Sequence, residues 1–375
     1  MSRVSTLFIV VALAATLAGT VFAAASSEEV LYIAERQHGT ILLLTYDVNP
    51  ETAVARQAGT PIFVGASNID PLTIGAKHFV YVWDGTDVWL YPTASNGAPD
   101  AQPAQHLTFN FAYPVYSFVA DPDGKYAYAA ILWTDSQGNS DAAITLFTID
   151  PSTGKLSDTQ KVVATYSNYY TYLNGFSFGI KGNMLFAQFY DDGPYTCEPG
   201  YDGYPVNQAN GNLGAMKQLI AGNANCGSSS AVTITDQLGG AEHACCGAGS
   251  GYVEITRIAS GTQIFCQASN LTFCGDDAGD ITFDPASENI IFPDTDVKET
   301  FIGHIDFAQL QLAESPSTIP GTPAIYFSPD SQVLFGLYKQ KIGIYAFQSS
   351  TGEILASSSL SLTGKATVAT ATLHQ

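Results

Sequence analysis

Carboxylates follow the aromatic runs of this chain with a regular rhythm. Glu35, Asp84 with Asp87, Asp135, Asp191 with Asp192, and Asp294 with Asp296 each stand just past a short apolar run, and Lys339 takes that place in the last one. If those runs are equivalent strands, their ends meet on one rim. Converging oxygen ligands there suit Ca²⁺, which takes about six to eight of them. Asp135, Asp191, Asp192, Asp294 and Asp296 are its candidate ligands. The competing reading is solvated turns, because an Asp side chain readily accepts hydrogen bonds from nearby backbone amides. Glu35, Arg36, Asp84 and Lys339 are candidate ligand contacts on the same rim. Tyr190-Asp-Asp-Gly-Pro-Tyr195 and Tyr201-Asp-Gly-Tyr204 add aromatic faces beside carboxylates, the combination with which a sugar is stacked and its hydroxyls bonded.

The cysteines are clustered. Cys197, Cys226, Cys245, Cys246, Cys266 and Cys274 lie in or just after a Gly/Asn-rich stretch at about 191–250. An even, clustered set in an exported chain predicts up to three disulfides, with the pairing left open. Zinc is the rival ligand and lacks a C-x-x-C spacing. The stretch itself is expected to be an insertion stapled over the rim. Gly175-Phe-Ser-Phe-Gly179 matches a nucleophile pattern that requires a strand-to-helix elbow, yet its Ser177 stands inside an alternating apolar run with no helix after it.

Charge narrows the partners. With 14 basic residues against 34 acidic ones, and no basic run, the surface repels a phosphate backbone, so nucleic acid is excluded as the natural partner. The 46% hydrophobic content with only 13% charged residues also excludes a disordered chain. Arg3, the apolar run from Leu7 to Leu17 and the small residues Val21-Phe-Ala-Ala-Ala25 read as a signal peptide over 1–23. The remaining 24–375 is expected to be one secreted or periplasmic domain without a membrane span.

The elements that position these groups repeat. Ser117-Phe-Val-Ala-Asp-Pro-Asp-Gly124, Lys125-Tyr-Ala-Tyr-Ala-Ala130 and Ala143-Ile-Thr-Leu-Phe-Thr-Ile-Asp-Pro-Ser-Thr-Gly-Lys-Leu156 form one unit, echoed from Ala324 to Glu353. Weaker copies begin at Leu72, Gly175 and Ile281. Alternation with a period of two between Gly, Pro and Asp turns predicts antiparallel strands. One sheet per repeat of roughly 45–50 residues predicts an all-β propeller of four-stranded blades. Six units can be counted, and the interval from 183 to 289 leaves room for a seventh. Residues 366–373 supply a first strand and Val30-Leu-Tyr-Ile-Ala34 a second, so the two termini are expected to complete one blade and close the ring.

Asp121-Pro-Asp-Gly-Lys-Tyr-Ala-Tyr128 and Phe147-Thr-Ile-Asp-Pro-Ser-Thr-Gly-Lys-Leu156, with Tyr46-Asp-Val-Asn-Pro50 and Phe347-Gln-Ser-Ser-Thr-Gly352, resemble the lactonase-like β-propellers, the 6-phosphogluconolactonase and YVTN-repeat group. These motifs make turns, so the resemblance implies a fold and carries no catalytic set onto this chain. Two functions follow as expectations. The first is a binding or scaffold module that takes a glycan, a small molecule, a peptide or a partner protein at its rim. The alternative is a lactonase-like hydrolase, or an isomerase or lyase, acting on a neutral lactone or carbohydrate. A phosphorylated lactone suits an acidic rim poorly, with Arg36, Lys298 and Lys339 as its only bases.

Overall fold

The computed structural model describes residues 29–373, apart from 39, 65–71, 76–78, 122–123, 135–139, 171–172, 182–183, 194–195, 221–231, 235–237, 244–251, 258–261, 269–281, 295–297 and 310. The alternating runs are antiparallel strands, as their period requires, and the described residues form no helix. Strands β1 (Glu29–Gln37), β2 (Thr40–Asn49), β3 (Val54–Gln57) and β4 (Ile62–Val64) come first. A second group is β5 (Leu72–Gly75), β6 (Phe79–Trp83), β7 (Asp87–Pro92) and β8 (Gln105–Thr108). A third is β9 (Val115–Ala120), β10 (Tyr126–Thr134), β11 (Ser140–Ile149) and β12 (Leu156–Tyr170). Next come β13 (Leu173–Lys181), β14 (Met184–Gly193), β15 (Thr196–Pro205) and β16 (Lys217–Ile220), followed by β17 (Val232–Ile234), β18 (Leu238–His243), β19 (Tyr252–Arg257) and β20 (Thr262–Ala268). The last nine are β21 (Thr282–Phe283), β22 (Asn289–Asp294), β23 (Glu299–Asp306), β24 (Gln311–Pro320), β25 (Ala324–Phe327), β26 (Val333–Leu337), β27 (Lys341–Gln348), β28 (Glu353–Ser361) and β29 (Lys365–Leu373).

Six consecutive sets of four, from β5–β8 to β25–β28, each make one antiparallel sheet, and β29 returns to pair with β1 in the order β29-β1-β2-β3. The first sheet therefore takes its innermost strand from the C-terminus, with Glu29 opposite Leu373 and Arg36 opposite Lys365. Seven sheets are formed among the described residues, one more than the six units countable in the sequence. The additional one, β17–β20, begins inside the stretch expected to be an insertion. Its Leu238-Gly-Gly-Ala-Glu-His243 strand carries little of the Tyr/Val/Ile alternation by which the others announce themselves. Ser177 pairs with Gln188 between two strands, so it stands on no nucleophile elbow.

Apolar clusters lie between neighbouring sheets. Tyr32, Ala34, Val80 and Val82 fill the space between the first and second, and Tyr81, Phe118, Ala127 and Phe147 that between the second and third. Tyr128, Ile144, Leu185 and Tyr204 join the third to the fourth, and Ile291, Ile302, Leu334 and Tyr345 the sixth to the seventh. Leu31 and Ile33 pack with Phe335 and Ile344, which brings the last sheet against the first.

A repeated polar latch ties these layers. Tyr32 Oη donates to the Gly97 carbonyl at 2.8 Å, Tyr81 Oη to Gly154 at 2.6 Å, and Tyr128 Oη to Gly211 at 2.8 Å. Each tyrosine stands on the second strand of one sheet, and each glycine in the turn between the third and fourth strands of the next. Ser315 Oγ does the same to Gly352, and Ser358 Oγ to Ala53, the latter from the seventh sheet to the first. The accepting residue adopts positive φ, +69° at Gly154, the left-handed region that glycine enters freely. A Cβ at Gly154 would also come within 2.5 Å of the Phe79 ring. This explains the recurring Ser-Thr-Gly turns. Burial raises the Tyr81 hydroxyl well above the usual tyrosine range, so it remains a donor. Tyr81→Phe leaves the buried Gly154 carbonyl without its partner and is expected to cost about 1–3 kcal/mol. A denaturant midpoint equal to that of the wild type would deny the latch any energetic role.

Candidate functional site

In this topology the ends of the second strands, the starts of the third and the links between sheets fall on one rim. The sequence candidates spread around it. Glu35 is buried near the end of β1 and accepts from Thr363 Oγ1 at 2.9 Å and from the Gly364 amide. Its carboxylate is engaged in fixing the turn that leads into β29. Asp84 accepts from the Thr86 and Asp87 amides, each at 2.7 Å, the side-chain-capped turn that Asp favours. Lys339 is exposed in the turn between β26 and β27. Tyr204 lies in the core between the third and fourth sheets with 4% exposure. That corrects its expected place in an aromatic ligand surface, because its strand turns this side chain inward.

Asp191 and Asp192 stand at the end of β14, paired with Glu198 and Cys197, and Tyr190 and Tyr201 are on β14 and β15. Asp294 ends β22 and Cys266 stands in β20. Tyr195, Asp135, Asp296, Cys226, Cys245, Cys246 and Cys274 lie outside the described residues. Among the described residues no three His, Cys, Asp or Glu side chains gather as a metal site.

Two groups that motif reading missed stand on the rim. The first occupies the mouth between the first and second sheets. In β7 and β8, Trp89 pairs with His106 and Asp87 with Thr108. Asp87 Oδ1 receives His106 Nε2 at 3.0 Å and Thr108 Oγ1 at 2.7 Å, while Thr86 Oγ1 reaches Oδ2 at 2.9 Å. Burial pushes this carboxyl up, but the Thr108, Thr86 and His106 hydrogen bonds and the nearby imidazole together outweigh it and hold it below the usual carboxylate range. The His106 ring stacks on Trp89 at 5.0 Å and 13°. With Nε2 anchored on Asp87 and its side chain 52% exposed, the imidazole keeps its other nitrogen for solvent or a ligand. Arg36 continues the face of β1 that carries Val30, Tyr32 and Ala34 toward the second sheet. Its Nε is buried and has no hydrogen-bond partner.

The second group crowns the interface between the second and third sheets. Tyr113 and Trp133 stack at 5.8 Å and 20°, with Tyr113 46% and Tyr116 48% exposed. The segment carrying them is pinned by the Val115 amide, which donates to the Gly85 carbonyl at 2.7 Å. Two residues before Gly85, the Trp83 indole is buried and its Nε1 has no hydrogen-bond partner. The sequence signal for both groups was aromatic content in 83–133. What hid them was pairing: a connection of about a dozen residues separates β7 from β8, so the Trp89–His106 register cannot be counted from a tight turn.

No protein-family model and no curated protein sequence matches the chain. Solved structures do. The periplasmic gluconolactonase of Pseudomonas aeruginosa is similar over 92% of this chain and 98% of its own, with 15% identity and a TM-score of 0.60. A candidate 6-phosphogluconolactonase of Bacteroides uniformis covers 92% and 99%, at 14% identity and a TM-score of 0.58. A Lactobacillus plantarum protein covers 92% and 99%, at 12% identity and a TM-score of 0.61. The fold is thus of the lactonase-like propeller kind, the resemblance that the turn motifs carry, and identity this low speaks to fold alone.

Proposed function

We propose that the chain is an exported propeller of seven blades that hydrolyses a neutral lactone of the sugar-acid type at its rim. The observation that carries this reading is the end-to-end correspondence with a periplasmic gluconolactonase, 92% of this chain against 98% of that one. The blade number is supported by seven sheets in series, and ring closure by the β29–β1 pairing together with the Ser358–Ala53 latch. Export draws on the apolar run from Leu7 to Leu17, which lies outside the described residues, and on the compartment of that neighbour. A net charge of -20 favours an uncharged substrate over a phosphorylated one.

Lactone hydrolysis needs a base for the attacking water and an acid for the departing ring oxygen. His106, oriented by Asp87, can take the water proton as the C–O bond forms at the carbonyl. It returns that proton to the alkoxide as the ring C–O bond breaks, leaving a hydroxyl and a carboxylic acid, which releases its own proton to solvent. The carboxylate of Asp87 steadies the imidazolium between these steps. Acid release from glucono-1,5-lactone, followed by pH-stat against the spontaneous rate, tests the proposal. A protein-dependent rate is the expected result, and a rate equal to that of buffer overturns it.

A further inference from the structure

We propose that the mouth between the second and third sheets binds the ring of a neutral pyranose, stacked on the Tyr113–Trp133 pair; the ring class rests on the sugar-acid reading above. The two rings are nearly parallel at 5.8 Å and 20°, and Tyr113, at 46% exposed, keeps much of its surface in water. A chain that buries Tyr81, Tyr91, Tyr128 and Phe147 almost completely has apolar interior to offer, so a stacked pair on the rim calls for an occupant. Aromatic faces of this kind suit the C–H side of a pyranose, whose apolar face and polar edge match an amphipathic ring.

A second, independent feature points the same way. Trp83 is 3% exposed, and its indole N–H has no hydrogen-bond partner. An unpaired buried donor is destabilising, and an oxygen-bearing ligand entering at this mouth would satisfy it. The residues are held as one unit: the Gly85 carbonyl takes the Val115 amide, a Cβ at Gly85 would meet Pro114 at 3.3 Å, and the Trp83 ring lies edge-on to Phe118 at 6.2 Å. An acidic protein of net charge -20 narrows the ligand to an uncharged sugar.

The test is calorimetric titration of the full exported chain with methyl β-D-glucopyranoside and cellobiose, with saturation-transfer NMR as a second readout. Binding by the wild type is expected, weakened about tenfold in Trp133→Ala and several-fold in Tyr113→Ala. Leu355→Ala, an exposed side chain on β28, should bind as the wild type does. Melting temperatures of the two rim variants should stay near that of the wild type, because neither side chain belongs to a buried cluster. No pyranoside binding at millimolar concentration, or equal binding by Trp133→Ala, overturns the inference. Lactone turnover without sugar binding would end this inference and leave the hydrolase reading standing. Sugar binding without turnover would do the reverse.

Discussion

Glu29→Gln is expected to stabilise the protein at neutral and alkaline pH and to leave it unchanged near pH 4. Glu29 opens β1 and is fully buried, its carboxyl facing the Asp330 carboxyl and the Ser328 hydroxyl. Burial first, and then the neighbouring Asp330 carboxyl, push its pKa up to about 9 from 4.5. The sign follows from proton uptake. Below pH 4.5 the group is protonated in both folded and unfolded chains and costs nothing extra. Above it, the unfolded chain releases a proton that the folded chain keeps, so stability declines as pH rises and goes on declining until the folded carboxyl itself ionises near pH 9. At pH 7 the two states differ by about 2.5 pH units, an upper bound of about 3 kcal/mol. Glutamine copies the neutral form and removes the slope. Melting temperature against pH for the two proteins is the measurement: the curves should meet near pH 4 and diverge upward. Parallel curves would mean that Glu29 is solvated and ionised. Asp330→Asn should recover a smaller part of the gain, since it removes the secondary cause alone.

The position of Glu29 makes that experiment a probe of the contact between the first and seventh sheets as well. Asp330 stands in the turn between β25 and β26 of the seventh sheet, where it accepts from Ser328 Oγ at 2.8 Å and the Gln332 amide at 3.0 Å. The pair therefore spans the first and seventh sheets, below the cluster of Leu31, Ile33, Phe335 and Ile344. Two carboxyls here push the first and seventh sheets apart once both are charged.

What could be read from the sequence were the parts set by local pattern. The second strands of Tyr32, Tyr81 and Tyr128 announced themselves by alternation, and their Asp-Pro and Ser-Thr-Gly turns by residues that demand particular φ values. The pairing of 366–373 with 30–34 followed from an unmatched strand at each end, and β29 and β1 do pair. The latches were not legible, since Tyr81 and Gly154 are 73 residues apart and nothing local links a hydroxyl to a turn in the next sheet. The candidate site was hidden for the same reason. Asp84 and Glu35 looked functional because carboxylates after strands are conspicuous, yet backbone amides engage both. Asp87 and His106, 19 positions apart, become a pair only through the register of β7 and β8.

That pair carries the largest expected effect on activity. His106→Ala should lower turnover of glucono-1,5-lactone by about 10²–10⁴-fold, the usual contribution of a general base, with little change in the Michaelis constant. Asp87→Asn should retain the Thr108 and Thr86 hydrogen-bonding positions while removing the charge that stabilises the imidazolium, and so fall between His106→Ala and the wild type. The competing account is structural: a half-exposed histidine stacked on Trp89 as a cross-strand pair, worth about 0.2–1 kcal/mol. It predicts a small fall in melting temperature in both variants and no change in turnover. The pH profile separates the two readings further. If His106 carries the proton, the shape of the pH–rate profile should change in His106→Gln. Full turnover in His106→Ala, with an unaltered pH profile, would remove the dyad from the reaction.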